Sequence, residues 1–289
     1  ASFLRQLQSD APDVVLVAPR WPAISEPSHG TCVRMALALA TRKHIAKLTL
    51  CEPGKLHLFV LEDFLKGGGA LAYLGLGIGI MSNDILRILE RILEHSHSLQ
   101  TLTFDCCEAD LFALEDTTDV RGAFLAEALN YRHSLQSFTL NCGHTVMSDA
   151  SGALLAQALK HSQSLQSFAL NCNDTIMGDA SAEAFAEALE HNQTLQTFMM
   201  NCSRTTMGDE SGLALAGALE QSQSLRTIFL SCKETSMGEA SGIALAEALK
   251  HNRSLQSFGL CCSLDSMNAV SGAALARALN SNRTLKTFC

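Results

Sequence analysis

The chain is poor in charge and in aromatic residues. Charged residues make up 17% of its 289 positions and aromatic residues 6%, with a single tryptophan and two tyrosines. It contains no run of Lys or Arg, and the formal net charge is −8. This balance argues against a dedicated nucleic-acid binder and against a basic membrane-surface protein. Long apolar runs are also lacking. The longest, Ala70 to Met81, has 12 residues and several glycines, too short to span a bilayer. The first residues, Ala1-Ser2-Phe3-Leu4-Arg5, include no initiator Met and no apolar signal-peptide core, so they read as a processed or trimmed end. No Cys-x-x-Cys pair occurs, although there are eleven cysteines. An odd count in a chain without a secretory signal favours reduced thiols, and hence an intracellular, cytoplasmic protein, over a disulfide framework. Hydrophobic residues make up 47% of the chain, which excludes a disordered one.

What the chain does contain is a repeat. Leu135, Leu165, Leu195, Leu225, Leu255 and Leu285 are spaced 30 apart. Phe138, Phe168, Phe198, Phe258 and Phe288 follow three residues later, with Ile228 in the remaining slot. Cys142, Cys172, Cys202, Cys232 and Cys262 share the period, as do Met147, Met177, Met207, Met237 and Met267. Each unit has two halves. Leu-x-x-Phe-x-Leu, as in Leu165 to Leu170, has the alternation of a short strand. Ser-Gly-x-x-Leu-Ala-x-Ala-Leu, as in Ser241 to Leu249, has the apolar face and strong helix formers of a short helix. Asp149, Asp179, Asp209 and Glu239 precede the helices. The aspartates are expected to cap them, and all four carboxylates to sit near the positive end. Asn192, Asn252 and Asn282 follow the helices and are expected to end them in the left-handed conformation. Looser units trace back through Leu99-x-x-Leu102-x-Phe104, Leu71-x-x-Leu74-x-Leu76 and Ile45-x-x-Leu48-x-Leu50, with a first strand at Val14 to Val17. About ten strands and nine helical returns result. An acidic insertion fills 108–119.

These motifs resemble the leucine-rich repeat family, in particular its ribonuclease-inhibitor-like subclass, over nearly the whole chain from about residue 33. The resemblance implies an α/β fold: a curved horseshoe solenoid with a parallel sheet on the concave side and helices on the convex side. Residues 1–33, which hold four of the five prolines and Trp21, form the N-terminal cap and first strand. Residues 34–289 form one continuous solenoid, irregular to about 120 and regular after. The chain departs from the family pattern in its strand-to-helix loop, which is longer than usual, so either the Cys ladder or the Thr ladder (Thr145, Thr175, Thr205, Thr235) satisfies the loop backbone. The chain stops within a strand, at Leu285 to Cys289, with no polar capping unit after it, and reads as part of a longer protein.

The chemistry-bearing residues follow the repeat rhythm and do not converge. The Cys ladder reads as structural, since its members are a whole unit apart and free Cys is commonly buried. His161, His191 and His251 occupy one position at the helix C-terminus, suited to capping. Gly67-Gly68-Gly69 and Gly75-Leu-Gly77-Ile-Gly79 lack the spacing and the lysine of a phosphate loop. Gly75 and Gly77 are instead expected to leave a shallow depression on the concave face. No catalytic residue, metal site or cofactor is expected. The concave face is the expected site: a neutral, polar surface with binding positions Gln166, Asn171, Gln196, Met199, Asn201, Arg226, Phe229 and Gln256. Met199, Arg226 and Phe229 break its monotony and are of the types enriched at interface centres. The expected function is a non-catalytic protein-binding module, the recognition part of a larger intracellular protein (sensor, ligase adaptor or effector). It takes a protein partner, with no nucleic acid and no membrane. The alternative is a structural protein that self-associates through its exposed terminal repeat.

Overall fold

The computed structural model describes residues 13–16, 44–51, 53, 55–78, 83–106, 120–130, 134–263 and 268–289. Over these the chain alternates strand and helix: β1 (Asp13–Leu16), β2 (His44–Cys51), α1 (Lys55–Lys66), β3 (Ala70–Gly77), α2 (Asn83–His95), β4 (Thr101–Asp105) and α3 (Val120–Asn130). It continues with β5 (Ser137–Asn141), α4 (Asp149–His161), β6 (Ser167–Asn171), α5 (Asp179–His191), β7 (Thr197–Asn201) and α6 (Asp209–Gln221). The last elements are β8 (Thr227–Cys232), α7 (Glu239–His251), β9 (Ser257–Cys262), α8 (Ala269–Ser281) and β10 (Thr287–Phe288). The ten strands form one open parallel sheet in sequence order. Helices about 10–12 Å across stack beside strands about 4.8 Å apart, so the helical side must fan outward and the sheet becomes the inner wall. This strand–helix repeat in sequence order is the curved solenoid that the resemblance implies. The expected helix before β2, the N-terminal segment apart from 13–16, the acidic insertion, Cys107, Gly79 and Met267 lie outside the described residues.

Register follows the sequence period. Phe138 pairs with Phe168, Phe168 with Phe198, Phe198 with Ile228, and Ile228 with Phe258. In-register parallel strands therefore stack the rings into a column with no exposed member between Phe104 and Phe258. The Phe138–Phe168 and Phe168–Phe198 centroids lie 5.8 and 5.9 Å apart in stacked geometry. Phe185 of α5 packs into the same column, 5.7 Å from Phe168. Each helix turns Leu and Ala inward, as α4 does with Leu155, Ala156, Ala158 and Leu159. Helices approach closely where a glycine meets the next unit's serine. A Cβ on Gly122 would lie 2.7 Å from the Ser151 Cα, and one on Gly212 would lie 2.9 Å from the Ser241 Cα.

The aspartates do not cap their own helices. Helices α4 to α7 have no side-chain cap bond of their own at the N-cap. Instead each Asp reaches into the next unit. Asp179 Oδ1 accepts from Gly208 N at 2.8 Å, Ser211 N at 3.1 Å and Ser211 Oγ at 2.5 Å. Asp149 does the same for Gly178 and Ser181, and Asp209 for Gly238 and Ser241. Side-by-side helices place the first turn of one against the N-terminus of the next, so the free N–H groups there have a carboxylate within reach. Glu239, a methylene longer, bonds the Asn268 side chain, and Asn268 caps α8 itself.

The asparagines after the helices are not left-handed either. Asn192, Asn252 and Asn282 have φ of −76°, −62° and −70° with extended ψ. Their work is done by the side chain. Asn252 Nδ2 donates to Leu219 O at 2.6 Å and Ser222 O at 3.2 Å in the preceding unit, while its Oδ1 accepts from Ser254 N and Leu255 N. The left-handed positions are His144, Asp174, Arg204 and Glu234, at φ +54° to +58° in the loops after the strands. Their side chains form a ladder, His144–Asp174, Asp174–Arg204 and Arg204–Glu234, at 3.4, 3.5 and 3.0 Å.

Both the Thr and the Cys ladders serve the loop. Thr145, Thr175 and Thr205 donate to the carbonyls of Cys142, Cys172 and Cys202 at 2.6–2.7 Å. The thiols of Cys142, Cys172 and Cys202 donate to Asn171 O, Asn201 O and Ser231 O of the next unit at 3.1–3.3 Å.

Candidate binding surface

The inner wall is built from the outward residues of the strands. From β4 to β8 these strands contain one charged residue, Asp105. Three zones run across it.

At the N-terminal edge of the strands lies an open groove of about 650 Å³. Gln100, Gln136, Gln166 and Gln196 line it, with Gln163 and Gln193 one turn earlier. The carboxamides of these six residues have no partner among the described residues. The hydroxyls beside them are committed: Ser98, Ser134, Ser164 and Thr194 donate to Leu71, Leu99, Leu135 and Leu165 carbonyls of the preceding unit. The glutamines therefore stand as a row of unengaged donors and acceptors, about 4.8 Å apart by strand spacing. Gln256 continues the row and accepts from Lys286 Nζ at 3.2 Å. Arg226 occupies the same row, but its guanidinium is tied down. It donates to the carbonyls of Gln223, Leu225 and Ser254 at 3.0–3.3 Å.

The middle zone carries the apolar residues. Met199 and Phe229 are cross-strand neighbours. Met199 is 41% exposed and Phe229 is half-buried. The Phe229 ring lies over Gly259, where any Cβ would overlap it. Ala169 precedes Met199 in the row, so the relief rises from small to large along β6, β7 and β8.

At the C-terminal edge, Asn171 and Asn201 belong to an amide ladder. Asn141 donates to Asp105 at 2.9 Å, Asn171 to Asn141 at 2.8 Å and Asn201 to Asn171 at 2.9 Å. Their other contacts cap the following loop, as Asn201 does by accepting from Ser203 N. The expected binding positions thus fall into three bands. Gln166 and Gln196 share the groove and Met199 adjoins Phe229. Asn171 and Asn201 lie across the sheet, and Arg226 is held apart from Phe229 at the edge.

The depression expected at Gly75 is filled. Thr49 and the Tyr73 ring close over it, 3.1 and 3.2 Å from where a Cβ would stand. Gly67-Gly68-Gly69 ends α1: Gly68 takes φ +84°, and the three amides return to carbonyls of Asp63, Leu65 and Phe64. His191 Nδ1 lies 2.8 Å from Glu187 O in its own last turn, and His251 lies 3.4 Å from Glu220. Among the described residues no set of three His, Cys, Asp or Glu is placed to hold a metal ion. The described cysteines are free thiols. Burial pushes the Cys202 and Cys232 thiols up to about 12, far from the thiolate needed for nucleophilic chemistry. No described helix is long and apolar enough to cross a membrane.

Two apolar clusters outside the inner wall were not singled out from the sequence. Val146 and Ile176 are 57% and 61% exposed on adjacent loops, and Leu213 and Ile243 are 52% and 41% exposed on adjacent helices. Equal spacing of 30 could have revealed both pairs, but outward orientation at those positions is a property of the helix pitch and loop path.

No family model matches the chain, and no curated protein matches it. Solved structures do. An actin-binding site 2 structure of leiomodin-1 is 21% identical, covering 50% of this chain and 79% of its own, with a TM-score of 0.41. The tropomodulin C-terminal domain of Caenorhabditis elegans is 19% identical, with coverages of 57% and 93% and a TM-score of 0.44. A Bacteroides fragilis protein is 11% identical, with coverages of 81% and 70% and a TM-score of 0.48.

Proposed function

We propose that the chain is a non-catalytic intracellular recognition module that takes a protein partner on its inner wall, centred on Met199 and Phe229 and flanked by the glutamine row. The observation that supports this most is the pairing of an exposed apolar step with unengaged amides on a surface almost free of charge. Apolar anchors supply affinity, and amides that both donate and accept suit peptide groups. A charged ligand would find little to hold it there. An enzyme would need a base, a nucleophile and an oxyanion donor in one place; the reading assigns no such set.

The test compares two double variants against a partner captured by the wild-type chain. Met199→Ala with Phe229→Ala is expected to weaken binding by about 2–4 kcal/mol, the range of a small hot-spot cluster. Leu213→Ala with Ile243→Ala on the helices is expected to leave affinity unchanged. The reverse pattern would move the site to the convex side. The alternative is self-association through the last unit. A concentration series by sedimentation separates the two, and a monomer throughout removes the alternative.

A further inference from the structure

Five Asn-x-Ser/Thr sequences occur, at Asn173, Asn192, Asn201, Asn252 and Asn282. This tripeptide is the acceptor signal for N-linked glycosylation, a modification of exposed loops in secreted proteins. Three of the five asparagines are buried: Asn192, Asn252 and Asn282 are 3%, 2% and 7% exposed. We infer that this solenoid folds only where N-glycosylation does not reach it, because the amides that staple successive units together are the acceptor atoms of that modification.

The conflict is at one atom. Glycosyl transfer from a lipid-linked oligosaccharide diphosphate breaks the sugar's bond to phosphate oxygen and forms one to Asn Nδ2. The amide gives up one hydrogen as a proton, and the diphosphate leaves. Here both Nδ2 hydrogens are engaged. Asn192 donates to Leu159 O at 2.7 Å and Ser162 O at 2.9 Å. Asn252 donates to Leu219 O and Ser222 O at 2.6 and 3.2 Å. Asn282 donates to Leu249 O and Asn252 O at 2.5 and 3.2 Å. A sugar in place of one hydrogen severs one of these bonds and sets a bulky, hydrated group where the preceding unit's last helical turn must pack. The third residue of the signal is also occupied. Thr194 Oγ1 donates to Leu165 O at 2.9 Å and Ser254 Oγ to Ser222 O at 3.0 Å. In each of the three the Asn Oδ1 accepts from the N–H groups two and three residues on. The fold thus engages both polar atoms of each Asn side chain internally. The conclusion holds whatever the inner wall binds.

The test routes the same chain two ways in one eukaryotic host, with and without a fused secretory signal peptide, and maps occupancy of each Asn by mass spectrometry. Without the signal peptide, a folded chain unmodified at all three positions is expected. With it, chains carrying a glycan on Asn192, Asn252 or Asn282 are expected at least tenfold depleted from the secreted, protease-resistant fraction. The variant Thr194→Ala, Ser254→Ala, Thr284→Ala removes the signals and keeps the asparagines. If it folds in the cytosol, it is expected to raise the secreted fraction several-fold. A protease-resistant secreted chain with a glycan on any of the three overturns the inference. So does a wild-type chain that passes through unglycosylated there, or a signal-free variant that folds in the cytosol yet is secreted no better.

Discussion

Asp179 and Asp209 stand in the first turn of one helix and bond the amides of the next. Burial works to raise the Asp179 carboxyl, but the bonds from Ser211 and Gly208 outweigh it and hold its pKa below the ordinary value. Asp209 is lowered first by the Ser241 hydroxyl. An unfolded aspartate titrates near about 3.9. A group held lower in the fold contributes its full stability above that value and loses it as pH falls through the lower folded value. Asp209→Asn is therefore expected to cost about 1 kcal/mol at neutral pH, within the range of a lost cap. It is also expected to flatten the loss of stability below about pH 4. Denaturant midpoints from pH 7 down to 2 check both; an unchanged acid limb would deny the carboxylate this role. These bonds were only half legible in the sequence. The residue type announced a cap, but the partner lies 29 to 32 positions on, and spacing within one unit points to the wrong helix. Asn252 was misread for a related reason. The same side chain suits a left-handed turn and a buried staple, and only the position of the preceding unit decides between them.

At the scale of the helix, α6 holds two glycines with opposite demands. Gly212 faces Ser241 of α7 at a distance that leaves no room for a methyl group, whereas a Cβ on the exposed Gly217 would touch nothing within 4 Å. Gly212→Ala is expected to destabilise by about 1–3 kcal/mol through overpacking. Gly217→Ala is expected to stabilise by about 0.5–1 kcal/mol, since glycine in a helix interior forfeits that much to chain entropy. Thermal denaturation of the two variants should move the midpoint in opposite directions, and shifts of equal sign would contradict the packing. In the strands, Phe198→Ala opens a cavity in the ring column and is expected to cost about 3–5 kcal/mol. The strand and helix of each unit, and the ring column itself, were readable because in-register parallel pairing converts a period of 30 directly into neighbours. The Tyr73 ring over Gly75 was not readable. That glycine has the spacing of an outward position, and what covers it depends on a neighbour's rotamer.

Across the whole molecule, stability is shared between units by four ladders: the phenylalanine column, the aspartate caps, the asparagine staples and the threonine and cysteine bonds in the loops. The rings bury apolar surface between units, and the other three satisfy the backbone of one unit with a group from its own or an adjoining one, so the units stand as one stacked body. This leaves a division of labour over the surface. The polar residues at the helix ends and in the strand-to-helix loops are largely engaged, while the glutamine row and the Met199–Phe229 step are not. The sequence located that inner wall and its apolar step. It did not reveal that Asn171, Asn201 and Arg226 are already committed to neighbouring groups, because hydrogen-bond partners across units are invisible to a single-unit pattern.

Site-specific photo-crosslinking tests the inner-wall reading most directly. A photo-reactive residue placed singly at Gln166, Met199 or Ile243, in the chain bound to its captured partner, reports which face lies within contact distance. Crosslinks to the partner from positions 166 and 199, and none from 243, are the predicted result. A crosslink from 243 with silence at 166 and 199 would contradict it.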